Sequence, residues 1–535
     1  MLEGYLCVML DCSRNAVMSV DGLKAFIDKL SVMGYNALQL YTEDTYEIKE
    51  EPLFGYMRGR YTQDELKELD AYAKERGIEL IPCIQTLGHL DQLFPWKRFR
   101  SMQDIYNILL VGEEETYGLI ENMFKACAEC FTSRRINIGM DEAHMLGLGK
   151  YLDKHGYQPR SEILLAHLKR VCAIAEKYAF KPMMWSDMFF KLADDLGGHN
   201  ENCAIPKEVL EKVPENIELV YWDYSATDID HYKALINKHR EFNRNVWYAG
   251  CVKTGRTYHA QNELFQNAQT ASLTACKETG LKNVLITIWG DFGNECPTAA
   301  ILPSLVRVAA VYHGRNDYKE LFAEITGENY DDFLLTDMKM PTDFPKATQF
   351  STGAKTMLYS DPFLGRYDSM VFGDGRERKA FAEKAKEFAA AKIRAKSYAY
   401  LFAFYQKLCE ILAVKYDLGY LTRQYYQKDD KNGLQSLLSD YQTLVPMLEE
   451  FIELARTAWC KENKPHGFDV IELRLAGATQ RVKSCGRRLK DYLDGRTERI
   501  PELEEKLVFD DSDTALNRKM TDVHNYSFIA TVNRV

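Results

Sequence analysis

Between residue 1 and about residue 315, eight short apolar runs alternate with amphipathic helical stretches, and few folds accommodate that alternation. The runs are Tyr5–Leu10, Ala37–Tyr41, Glu79–Cys83, Ile136–Ile138, Met183–Trp185, Leu219–Trp222, Val246–Ala249 and Val284–Ile288. Helical patterns separate them at Gly22–Met33, Asp64–Arg76, Tyr117–Thr132, Glu162–Tyr178 and Asp230–Asn243. Thr62, followed three residues later by Glu65, has the spacing of a capping box. Eight strands, each followed by a helix, predict an α/β fold: a closed parallel (β/α)₈ barrel, the TIM barrel, in preference to an open sheet.

The pattern changes beyond residue 330. Met340–Asp374 is rich in Pro, Gly and Ser, and long helical runs follow at Arg376–Lys428, Leu434–Asn463 and Phe468–Leu493. The expected organisation is a catalytic barrel over 1–325, a connecting segment over 326–375 and an α-helical C-terminal domain over 376–535. At 535 residues, two or three domains are the natural number.

A net charge of −10 disfavours nucleic-acid and anionic-membrane partners, which need a positive surface. No apolar run is long enough to predict a membrane span, and Met1-Leu2-Glu3-Gly4-Tyr5 lacks the basic and apolar regions of a signal peptide. The 13 cysteines are odd in number and scattered, with Cys127 and Cys130 as the one CxxC pair. They read as reduced thiols, so a cytoplasmic location is expected.

In such a barrel the active site lies where strands end. The strand ends here carry Asp11 and Arg14; Glu43 and Asp44; Gln85 and His89; Asp141 and Glu142; Trp185 and Asp187; Trp222, Asp223 and Tyr224; Trp247 and Tyr248; and Trp289 and Asp291. Four of the chain's six tryptophans fall in these segments, more than scatter would place there. Flat rings beside carboxylates suit a sugar, whose C–H face packs on aromatics while its hydroxyls meet charged forks. Asp141-Glu142 supplies two acids at one strand end: Glu142 suited to protonating a leaving oxygen if burial favours its acid form, Asp141 to holding a substrate group. Three other readings stand beside this one. A retaining β-glycosidase could use Asp187, Asp223 or Asp291 as its own nucleophile, and a carbohydrate-binding protein could keep the pocket without catalysis. A metal hydrolase fits less well, because His89, His144 and His155 lack ligand spacing. Neither metal nor cofactor is expected.

The segment Ile136-Asn137-Ile138-Gly139-Met140-Asp141-Glu142-Ala143-His144 resembles the Gly-x-Asp-Glu signature of glycoside hydrolase family 20, the β-N-acetylhexosaminidases, and in particular their intracellular branch. Asp11-x-x-Arg14, Gln85-Thr86-x-Gly88-His89, Trp185-x-Asp187-Met188, Trp222-Asp223-Tyr224 and Trp289 fit the same family. The resemblance implies release of terminal β-linked GlcNAc or GalNAc with the substrate's 2-acetamido carbonyl as nucleophile. It implies Asp141 orienting that group, Glu142 as acid and then base, and Arg14 on sugar hydroxyls. His89 would lie near Glu142, Trp185, Trp222 and Trp289 would wall the pocket, and Asp291 would take the outer hydroxyls. Two departures stand out. The tyrosine expected on the acetamido oxygen has two candidates, Tyr224 and Tyr248, of which Tyr224 fits the intracellular branch better. The second strand ends in Glu43-Asp44 where an Asp pair is usual. The small domain that precedes the barrel in many secreted relatives is not expected here. A small glycan or glycoconjugate is the expected partner; a homodimer is compatible with the sequence, which leaves assembly open.

Overall fold

The computed structural model describes residues 4–193, 199–339 and 353–508. Its strands are β1 (Leu6–Asp11), β2 (Ala37–Tyr41), β3 (Glu79–Cys83), β4 (Arg135–Asn137), β5 (Lys181–Trp185), β6 (Glu218–Trp222), β7 (Val246–Cys251) and β8 (Val284–Ile288). They pair in order, all parallel, and β1 closes on β8 with Leu6 beside Val284. The expected TIM barrel is the fold, and every expected strand is present within two residues at either end.

The barrel helices are α1 (Val20–Met33), α2 (Gln63–Glu75), α3 (Glu114–Cys130), α4 (Arg160–Lys177), α5 (Ile229–Arg240), α6 (Asn262–Thr279) and α7 (Leu302–His313). Local chemistry sets their ends. Ser19 accepts from the Gly22 amide to start α1, and Gly34, at φ 89°, ends it in the left-handed conformation. The capping box at Thr62 and Glu65 is formed, each side chain bonding the other residue's backbone N–H.

Side chains alternate along a strand, so one set on each strand faces the barrel axis. Near the strand starts that set brings Tyr5 to Glu79 (2.7 Å), Arg135 to Glu218 (2.9 Å) and the Trp247 indole to Glu218 (2.6 Å). One layer up, Asn137 donates to Gln39 (3.4 Å), which contacts Met183. The same phase carries Asp11, Tyr41, Gln85, Asp141, Trp185, Trp222 and Trp289 toward the strand ends.

The chain forms two compact units. The first comprises Met1–Lys253, Asn262–Trp289 and Ser304–Leu321; the second comprises Thr254–Gln261, Gly290–Pro303 and Phe322–Val535. The second is helical, with α8 (Arg376–Arg394), α9 (Ala399–Lys415), α10 (Leu418–Gln427), α11 (Lys431–Glu462) and α12 (Phe468–Leu493). Its core stacks Phe388 on Tyr405 (5.3 Å) and Phe404 on Phe451 (5.1 Å). Of the expected connecting segment, residues 340–352 lie outside the described residues; Tyr330–Leu334 and Gly353–Tyr359 are short helices. Among the described residues no helix is long and apolar enough to cross a membrane.

Candidate active site

β4 ends early because Gly139 turns the chain. Its φ is +72°, and a Cβ there would meet the Gln85 amide oxygen at 2.1 Å, so only glycine fits. Gln85, from the end of β3, then fixes the next two residues. Its carbonyl accepts the Met140 amide (3.2 Å), and its Nε2 donates to Asp141 Oδ1 (2.7 Å). Asp141 is buried, with His89 Nε2 3.2 Å from its other oxygen and 3.7 Å from Glu142 Oε2.

His89 therefore bridges the two acids. Burial alone would lower its imidazole, but Asp141 and then Glu43 outweigh burial and raise it to about 9. Burial pushes the Asp141 carboxyl up, and His89 with Gln85 pulls it below its ordinary value. The pair is thus an anionic Asp141 against a cationic His89 at neutral pH.

Arg14 and Glu43 form the next group. Arg14 lies 3.5 Å from Asp11 and 3.6 Å from Glu43, and the Tyr41 hydroxyl donates to Glu43 (3.0 Å). Burial raises the Glu43 carboxyl to about 7 against the pull of Arg14 and His89. Arg58 donates to Asp44 and to the Arg14 carbonyl (each 3.0 Å), tying the loops after β1 and β2 together. Asp44 is thereby a loop brace.

The aromatic residues form a continuous wall. The Trp289 indole N–H donates to the Tyr224 hydroxyl (3.0 Å), and Trp289 meets Tyr41 edge-on at 4.9 Å and Trp185 at 6.1 Å. Tyr224 stacks on Trp222 at 5.2 Å. The structure thus brings Arg14, Glu43, His89, Asp141, Glu142, Trp185, Trp222, Tyr224 and Trp289 together at the strand ends of the first unit.

Two expected residues point elsewhere. Tyr248 is fully buried between the Tyr221 and Tyr232 rings and donates to the Asp223 carbonyl (3.0 Å). Register explains this: Tyr248 pairs with Tyr221, the residue before Trp222, so Tyr248 and Trp222 face opposite sides. Asp223 turns to His231 on α5, 2.7 Å away. Asp291 belongs to the second unit, where Arg256 lies 3.4 Å from its carboxylate.

Glu142 is more open than expected, its side chain 46% exposed. Sequence reasoning missed Lys191, which stands 3.0 Å from Asp187 and 4.0 Å from Glu142. Its i, i+4 spacing from Asp187 was the available signal. Asp187 itself is fully buried and accepts the Glu142 amide (3.1 Å), which removes it as a nucleophile. Glu43, His89, Met140 and Glu142 all have φ between 47° and 70°, in the left-handed region that costs a residue with a Cβ about 1 kcal/mol or more. Such concentration marks a site whose surroundings over-determine its backbone.

An acid pair bridged by a cationic histidine, below a wall of indole and phenol rings, is the equipment of a sugar-cleaving barrel. The model of the glycosyl hydrolase family 20 catalytic domain matches residues 4–283, more than half of the chain, and that of the glycoside hydrolase 20C C-terminal domain matches residues 331–521. The chain belongs to glycosyl hydrolase family 20. It is 25% identical over 348 residues to Hexosaminidase D of Bos taurus, covering 60% of this chain and 94% of that protein. To Hexosaminidase D of Homo sapiens it is 24% identical over 310 residues, covering 54% and 61%. Against the crystal structure of the GH20 exo-β-N-acetylglucosaminidase from Vibrio harveyi it has a TM-score of 0.47 at 16% identity, covering 62% of this chain and 58% of that one.

Proposed function

We propose that the chain is an exo-β-N-acetylhexosaminidase that removes terminal β-linked GlcNAc or GalNAc with retention of configuration. The observation that carries this reading is the Asp141–His89–Glu142 cluster, in which one acid is buried and fixed from two sides and the other is open. A fixed, anionic Asp141 suits an acceptor for the N–H of the 2-acetamido group. It orients the carbonyl oxygen toward C1 and balances the charge that spreads onto the ring as that oxygen bonds C1. The bond from C1 to the aglycone oxygen breaks, and the Glu142 proton goes to that oxygen. In the second step water gives its proton to Glu142, its oxygen bonds C1, and the oxazolinium C1–O bond opens.

Arg14 and Glu43 would take ring hydroxyls, Trp185, Trp222 and Trp289 would pack the sugar and its methyl group, and Tyr224 would donate to the acetamido oxygen in place of Tyr248. The substrate is a small glycan or glycoconjugate. A cytoplasmic setting is part of the proposal, supported by 13 cysteines that form no disulfide, 12 of them buried.

The test is a side-by-side assay on nitrophenyl β-glycosides of GlcNAc, GalNAc, glucose and galactose. Turnover confined to the two N-acetyl sugars supports the reading. Comparable turnover of glucoside or galactoside overturns it.

A further inference from the structure

We propose that Asp187 is a positioning residue that holds Glu142 in place for proton transfer, with Lys191 as its charge partner. This rests on the reading of Glu142 as the acid. Asp187 opens a short helix, Asp187–Lys191, directly after β5, and the i, i+4 spacing puts its first and last side chains on one face. Asp187 is fully buried, and a carboxylate keeps its charge there only with a partner. Lys191, 13% exposed in its side chain, is that partner at 3.0 Å.

The same carboxylate oxygen accepts the Glu142 backbone N–H at 3.1 Å. That bond holds a residue whose φ of +52° is unfavourable for a side chain with a Cβ. Asp141, one residue earlier, is held by Gln85 from β3. Two neighbouring acids are thus clamped from two different strands, which lets them divide their tasks. Lys191 also stands 4.0 Å from Glu142 Oε1. Without Asp187, its ammonium would be left with Glu142 as the nearest carboxylate among the described residues, and the ion pair would draw the acid off its position.

A mispositioned acid costs most where the leaving group needs a proton most, so the readout is leaving-group dependence. Aryl N-acetyl-β-glucosaminides running from dinitrophenyl to phenyl would be assayed with Asp187→Ala, Asp187→Asn, Lys191→Met and Glu142→Gln. Asp187→Ala is expected to lose about 100-fold in kcat on the phenyl glycoside and less than about fivefold on the dinitrophenyl one. Asp187→Asn should recover most of the loss, because its amide oxygen can accept both N–H groups. Lys191→Met should show the same trend at about tenfold on the phenyl glycoside, and it carries the test if Asp187→Ala fails to fold.

A loss uniform across the series, or an asparagine variant no better than alanine, overturns the proposal while leaving Glu142 as the acid if Glu142→Gln remains steep. A flat series for Glu142→Gln itself would remove the acid assignment, and the role of Asp187 with it.

Discussion

Glu43 and His89 both hold their protons to higher pH than in solution, Glu43 because it is buried and His89 because Asp141 lies beside it. Glu43 has its folded value raised to about 7 from 4.5, so the folded state binds more protons than the unfolded one between those values. Its contribution is fully present below pH 4.5 and is lost as pH rises through 7. The difference in melting temperature between Glu43→Gln and the parent should therefore move in favour of the variant from pH 4.5 to 7. A flat difference would contradict the burial argument. His89 runs the same way over a higher window, raised from 6.5 to about 9, and its stabilising contact with Asp141 should fade as pH passes 9. For Asp141, replacement by Asn removes the anion but keeps the shape. Turnover of an N-acetyl substrate should fall by about 100-fold or more, in line with losing one preorganised electrostatic group. Near-parental turnover in a steady-state assay would exclude Asp141 from the acetamido contact.

At the scale of elements, α9 depends on a residue far away in sequence. The carboxylate of Glu328 accepts the backbone N–H groups of Lys396 (2.9 Å), Ser397 (2.7 Å) and Tyr398 (3.2 Å) just before α9 begins. Glu328→Ala leaves those donors unpaired and should cost about 1–3 kcal/mol, read as a lower urea midpoint. An unchanged midpoint would show that water replaces the carboxylate. The same contact explains the first of the two breaks that divide the run Arg376–Lys428 into three helices. Residues 395–398 contain neither Pro nor Gly, and the break is imposed by a side chain some 70 positions earlier. Barrel strands were legible because each is a local apolar run with turn residues around it. Asp141 and Glu142 were legible because Gly139 and a strand end flank them. Tyr248 was not, because its direction is set by one step of register between β6 and β7, which no local pattern encodes. Lys191 was missed for a similar reason: its partner is on its own helix, but its meaning depends on Glu142 from β4.

For the whole molecule, the thiols give a direct check on state. None of the 13 cysteines, all of them among the described residues, is in a disulfide, and Cys460 alone is exposed. A disulfide reagent should label one thiol quickly in the folded protein and 13 after denaturation, and several fast thiols would contradict the packing. One family model spans β1 to β7 of the barrel, residues 4–283, and a second spans residues 331–521 of the helical region. The composition and charge say nothing about which sugar enters, because that choice rests on single hydroxyl contacts. The central claim is that the substrate's own amide attacks C1. It is tested most directly by kcat/KM on nitrophenyl glucosaminides whose N-acetyl group carries none, one, two or three fluorines. Each fluorine withdraws electron density from the carbonyl oxygen, so the account predicts a steep, stepwise fall. Equal rates along the series would mean that the amide is a bystander and that a protein carboxylate attacks instead.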